Sequence, residues 1–368
     1  MEITSCEIYC FLEKIKDYEP GIFDDIKNRM IYRFDDNNEL RNAVKLYITE
    51  ETYHIGFQLY NHISLWDTSN ITDMSYLFCF LKGVEQYSVE TSLFNENINS
   101  WNTSKVTNMV GMFSGCANFN QPLDKWDVTN VNFMDYMFSG CHRFNHSLNN
   151  WNVGNVFSIQ CMFNECVMFN QPLDNWDVSK VQYIWGMFIN CIYFNQNINN
   201  WNITNVSDMT KMFQGCTDFN QPLDNWNVGN IIYMTNMFKN CDNFNQCLDN
   251  WDVSNVIYMN TMFSGCESFD KPLNNWNVSN VEYMNGMFNE CFIFNQPLDN
   301  WDVTNVISIN SMFAYCGFFN QSLHDWNIEN VRSSARVFNF CRHFIKSVEI
   351  KESWAERNHI IAQDNMMV

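Results

Sequence analysis

At 368 residues the chain is long enough for two ordinary globular domains, but internal repetition overrides length in setting its organisation. Its 41 acidic residues outnumber 21 lysines and arginines, and the formal charge of -20 repels phosphate backbones and anionic membrane surfaces, which argues against nucleic acid as a partner. Aromatic residues make up 16% of the chain, enough apolar surface for a packed core and too much for disorder.

The first segment, Met1 to Pro20, carries Glu2, Glu7, Glu13, Lys14, Lys16, Asp17 and Glu19 and lacks both a basic leader and an unbroken apolar stretch, so no signal peptide is expected. No run of apolar residues is long enough for a membrane-spanning helix, so membrane insertion is not expected either. Residues 1–60 lack the repeat. Within them Glu39 to Ile48 has amphipathic helical spacing, with Leu40, Ala43, Val44 and Tyr47 on one face, and predicts a cap over the end of a stacked core.

From Trp66 onward the chain repeats. Trp101, Trp126, Trp151, Trp176, Trp201, Trp226, Trp251, Trp276, Trp301 and Trp326 stand 25 residues apart. Counting from each Trp, Val or Ile falls at +5, mostly Met or Ile at +8, mostly Met at +11, Phe at +12, Cys at +15, Phe at +18 and an aliphatic residue at +22. Between these lie mostly Asn, Asp, Ser, Thr and Gly. Leu-x-x-Trp-x-Val puts Trp and Val on one face of an extended segment and predicts a short strand. The steps of three and one from +5 to +18 predict a helical turn with one stripe inward. Trp66, with Ile71, Met74, Leu77 and Phe78, heads a first unit ten residues longer than the others, the excess forming a loop within 82–93. A single unit cannot offset an ordering entropy of about 1–2 kcal/mol per residue, so units must stack.

Leu173-x-x-Trp176-x-Val178-x-x-Val181 follows the leucine-rich-repeat strand template, and FNQPLDNWDVTNV from Phe294 to Val306 with its following MF-x-x-C resembles the BspA-type repeat. The lead-in NELRNA, Asn38 to Ala43, followed by Tyr60 to Ser69 resembles the same family. The resemblance implies an α/β solenoid: a leucine-rich-repeat-like stack of about eleven strand-plus-helical-turn units with a parallel sheet on one face. It divides the chain into a helical cap region at 1–60, a solenoid at 61–350 and a C-terminal tail at 351–368. At the decaying end, Arg332, Arg336, Arg342, His343 and Lys346 replace neutral residues and suit a soluble terminal unit. Relatives of this type are known from bacterial and mycoplasma surface lipoproteins and from giant-virus proteins.

Chemistry is sought first among the cysteines. Ten of the 15, Cys116 through Cys341, mark one repeat position rather than a cluster, and no C-x-x-C pair opens a zinc site. Lodged between two Phe positions they are expected to be buried, reduced and inert, which leaves Cys6, Cys10, Cys79, Cys161 and Cys247 off the ladder. Asp127, Asp177, Asp252 and Asp302 at +1 alternate loosely with Asn and are equivalent to one another, whereas a catalytic acid/base pair needs one distinct site. Asn at +4 and after the second Phe is expected to build ladders that satisfy turn groups.

Positions +7, +9 and +17 vary between units and collect aromatics: Phe133, Tyr183, Tyr233, Tyr258 and Tyr283 at +7, Trp185 at +9, and Tyr193 and Phe318 at +17. Together with the +1 aspartates, those at +7 and +9 are the candidate protein-binding residues, because exposed aromatics are enriched at interfaces. Padding of the outer edges of helical turns is the competing reading of the same residues. No catalytic, cofactor-binding or metal-ligating residue is expected. The chain is read as a non-enzymatic protein-interaction scaffold, virus-encoded or intracellular, with a structural or surface component as the alternative and self-association as an open partner class.

Overall fold

The structure, a computed structural model, describes residues 21 and 25, residues 28–79 and residues 93–344. The expected loop within 82–93 lies almost entirely outside the described residues, as do Met1 to Pro20, Cys6, Cys10, Lys346 and the tail at 351–368.

Strand β1, Tyr32–Arg33, is followed by helix α1, Asn37–Ile48, helix α2, Tyr53–Tyr60, a 3-10 turn at Ile63–Leu65 and strand β2, Trp66–Asp67. Helix α1 starts where Asp36 accepts the amides of Asn38 and Glu39 at 2.8 and 2.9 Å, while Glu39 reaches back to the Asp35 amide at 2.9 Å. Its buried face is Leu40, Ala43, Val44 and Tyr47. β1 pairs in parallel with β2, Tyr32 opposite Trp66, and Arg33 meets the Asp67 carboxylate at 2.6 Å. Phe34, Tyr47 and Tyr60 then surround Trp66, with ring centroids 5.0, 5.6 and 6.2 Å away. The first indole of the array is thus covered by aromatic rings from the preceding segment.

Beyond Trp66 the units stack, but not as strand plus helical turn. Among the described residues no later Leu-x-x-Trp-x-Val segment forms a strand, and no helix occurs between Trp66 and Phe344. Each Trp segment is held by tight turns such as the Trp126 amide on Leu123 O at 3.2 Å and the Val131 amide on Val128 O at 2.9 Å. Parallel pairing runs instead through the +7 row as single bridges, from Asp73 through Asn108, Phe133 and Ser158 to Tyr183, and again from Asp208 through Tyr233, Tyr258, Tyr283 and Ser308 to Ser333. Around each bridge alternate amides donate to the next unit: Met134 to Ser158, Tyr136 to Gln160, Phe138 to Met162 and Gly140 to Asn164, at 2.7–3.0 Å.

The reason is backbone handedness. Two residues in each fully described unit take positive φ, at +10 and +14, as in Tyr136 (56°) and Gly140 (76°), or Gly186 (64°) and Asn190 (56°). A left-handed residue cannot continue a right-handed helix and turns its peptide plane toward the neighbouring unit. The segment becomes a chain of i to i+3 turns, for example Met137 on Met134, Cys141 on Phe138 and Phe144 on Cys141. This spacing points +8, +12, +15 and +18 inward as a helical stripe would, so the buried set is the expected one although the element is not.

Several of these positions demand glycine. Gly215 has φ +75°, and a Cβ there would overlap the Asn190 Oδ1 of the preceding unit. Gly215→Ala is expected to cost at least the roughly 1–2 kcal/mol of a left-handed non-glycine residue, read as a lowered unfolding midpoint; an unchanged midpoint would contradict the left-handed assignment.

The core consists of columns of like residues. Phe113, Phe138, Phe163 and Phe188 stack at 5.5–5.8 Å, and within a unit Phe138 lies 4.3 Å from Phe144. Trp176 and Trp201 lie 6.3 Å apart with planes 3° from parallel. Each buried indole N–H donates to a carbonyl of the preceding unit, Trp176 to Leu148 O and Trp201 to Leu173 O, at 2.9 and 3.0 Å. Each large side chain so buried contributes roughly 1.5–3 kcal/mol.

A candidate interaction face

The polar rows outside this core are largely committed to the array itself. Asn145, Asn170, Asn195 and Asn220 each present Oδ1 to the backbone amide of the equivalent residue one unit on, at 3.0 Å. Asn205 and Asn230 at +4 donate to Ser179 O and Thr204 O, at 2.6 and 2.8 Å. These are the ladders that the asparagine spacing predicts.

The +1 aspartates are exposed and close their own turns. Asp127, Asp177, Asp252 and Asp302 accept the amides of Thr129, Ser179, Ser254 and Thr304 at 3.0–3.1 Å. Hydrogen bonds from the side chain and amide of residue 179, 254 or 304 hold the carboxyls of Asp177, Asp252 and Asp302 below the ordinary aspartate value. The four aspartates thus share one local role, each closing the turn that follows its Trp.

The thiols are equally occupied. Cys166, Cys191 and Cys216 point Sγ at Phe138 O, Phe163 O and Phe188 O, each at 2.9 Å. Burial pushes every ladder thiol up, Cys341 to about 12 and the others well above the ordinary value. Among the described cysteines off the ladder, Cys79 and Cys161 are buried and Cys247 is exposed. Among the described residues no group of three or more His, Cys, Asp and Glu is placed to hold a metal ion.

The variable aromatics at +7 stand on the bridge row, not on the outer edge of helical turns. Phe133, Tyr183 and Tyr233 are 44%, 53% and 41% exposed. Tyr233, Tyr258 and Tyr283 form one stack, with centroids 5.1 and 5.2 Å apart and planes within 10°, because consecutive bridges hold their Cα atoms in register. Trp185 is half-buried, donates its indole N–H to the Gln160 side chain and sets its ring edge-on to Tyr136 at 6.4 Å. It stands where the bridge row is interrupted, between Tyr183 and Asp208. The structure thus gathers the tyrosines into a surface row, whereas the aspartates occupy the separate turn that follows each Trp.

Sequence reasoning passes over a second aromatic group, Phe292, Tyr315 and Phe340, beside the noted Phe318. From Trp101 onward, position +14 is Gly or Asn in six of ten units and aromatic only in the last two, at Tyr315 and Phe340. That contrast was the available signal.

A model of the family described as "Mycoplasma protein of unknown function, DUF285" matches residues 49–174, 147–249 and 234–354. No curated protein and no solved structure matches the chain.

Proposed function

Because the chain belongs to the DUF285 repeat family, whose function is unknown, we propose that it is a non-enzymatic scaffold that binds protein through its exposed aromatic row, on a solenoid akin to the BspA-type leucine-rich repeats and in an intracellular or virus-encoded setting. The supporting observation is how differently the side chains are used. Asn rows, indoles, thiols and +1 carboxylates bond within the array, whereas Phe133, Tyr183 and Tyr233 keep large exposed rings at positions that vary from unit to unit. Large, rigid rings give contact area at low cost in side-chain entropy, the property that enriches them at interfaces. Replacing Tyr183, Tyr233, Tyr258, Tyr283 and Trp185 by serine is expected to weaken capture of bound protein roughly tenfold in quantitative affinity purification, with the circular dichroism of the array retained. An unchanged set of captured proteins at unchanged yield would defeat the proposal.

The second reading, a structural or surface component, draws on a regular alternation along the loop edge. Asn99, Asn149 and Asn199 each donate to the aspartate one unit on, Asp124, Asp174 and Asp224, at 2.8–2.9 Å. This two-unit period holds from Asn99 to Asp224, breaks at Asp249 and resumes with Asn274 on Asp299, and such a row suits a repetitive partner or further copies of the chain. Light scattering on the purified protein separates the readings, since ordered assemblies would favour this one.

A further inference from the structure

At the C-terminal end of the array, Phe292, Tyr315, Phe318, Phe340, Arg342 and His343 line an apolar groove of about 580 Å³. Two stacked pairs form its walls: Tyr315 on Phe340 at 4.7 Å and Phe318 on His343 at 5.2 Å. Gly317 lines it without a side chain. Three observations set this groove apart from the rest of the edge. Tyr315 and Phe340 sit at φ 62° and 58°, a backbone region that bulky residues rarely adopt and that Gly or Asn fills at +14 in most other units. Phe318 and Phe340 are each 54% exposed, among the most exposed large apolar residues described. Finally, Arg342 and His343 are the only ionisable side chains besides Tyr315 among the described residues lining it, in a chain of net charge -20.

We infer that this groove is a docking site for an anionic peptide segment of another protein, one that inserts an aromatic or aliphatic anchor between the two ring pairs and sets flanking carboxylates against Arg342 and His343. The inference rests on the scaffold reading and names a partner chemistry for it. Its volume lies within the range of built ligand sites, and its stacked walls suit one or two large side chains. The acidic remainder of the chain repels such a segment, so electrostatic complementarity concentrates binding at this end.

The test uses the full chain and two short synthetic peptides that share a Leu-x-x-Phe anchor, flanked in one by glutamates and in the other by lysines, titrated by calorimetry. The glutamate peptide should bind more tightly by about tenfold, and Arg342→Glu should reverse that order. Phe340→Asn, which places at +14 a residue at ease in the left-handed conformation, should keep the fold and lower the affinity by a similar factor. Equal binding of both peptides, no binding, or an unaffected Phe340→Asn variant overturns the proposal. With Phe318→benzoylphenylalanine as a photo-crosslinker, attachment to the glutamate peptide supports it, and attachment to residues 345–368 of the same chain or to a second copy overturns it. Peptide binding that fails while tyrosine-dependent capture persists removes this groove alone; failure of both removes the scaffold reading as well.

Discussion

Trp201→Ala is expected to destabilise the array by about 3–5 kcal/mol, whereas Asn202→Ala, one residue on, should cost about 0.5–1.5 kcal/mol. The indole of Trp201 is only 3% exposed, stacks on Trp176 and contacts Phe188 at 6.4 Å between centroids. Removing it leaves a cavity between units that each fix their neighbours' register, so the core on both sides has little freedom to collapse into it. Leu173 O also loses one of two donors, keeping the Trp176 amide at 3.2 Å. Asn202 is exposed and serves only the local turn through Thr204, whose amide and hydroxyl it accepts at 3.2 and 2.7 Å. Urea unfolding of the two variants checks the contrast. Equal losses would mean that the indole row does not carry the stacking.

How far this arrangement can be read from the sequence depends on what each residue type discriminates. Recurrent Trp, Phe, Met and Cys fix the register and the inward rows, because a large apolar side chain at every equivalent position has nowhere to go but a shared interior. Leu40, Ala43, Val44 and Tyr47 likewise announce one face of α1. The element type between +5 and +18 is harder, since a helical stripe and a chain of tight turns bury the same offsets. The discriminating signal lies in the residues between them, Gly111, Gly186 and Gly286 at +10 and Gly115, Gly140, Gly215 and Gly265 at +14. Lys211, Thr261 and Glu290 occupy the same left-handed positions and blur it. Variation between units singles out Tyr183 and Tyr233 as surface residues, yet only the bridge register shows Tyr233, Tyr258 and Tyr283 forming a continuous stack. The terminal groove was the least legible, because from Trp101 onward aromatic residues appear at +14 and +16 only in the last units, too few for repetition to establish them as a pattern.

A steep loss of stability is expected as pH rises above about 9, caused by the thiol ladder. Burial raises the folded values of Cys116, Cys141, Cys166, Cys191, Cys216, Cys241, Cys266, Cys291, Cys316 and Cys341 above the ordinary value of 9.0. The sign follows from where the protons sit. Well below pH 9 the thiols are protonated in both states and stability hardly depends on them. Above it the unfolded chain releases protons that the folded chain retains, so stability is lost progressively as pH climbs from the unfolded value toward the folded ones. Each thiol removes up to about 1.4 kcal/mol per pH unit, and the ten together reach on the order of 10 kcal/mol per pH unit, comparable with the entire stability of an ordinary domain. A single ladder cysteine would be unremarkable; repetition makes the response collective. Urea midpoints between pH 7 and 10 should fall steeply at the upper end, with Cys241→Ala and Cys266→Ala together flattening the decline in proportion to the two thiols removed. A level profile, or a decline indifferent to those substitutions, would show that the thiols are not held protonated inside the stack.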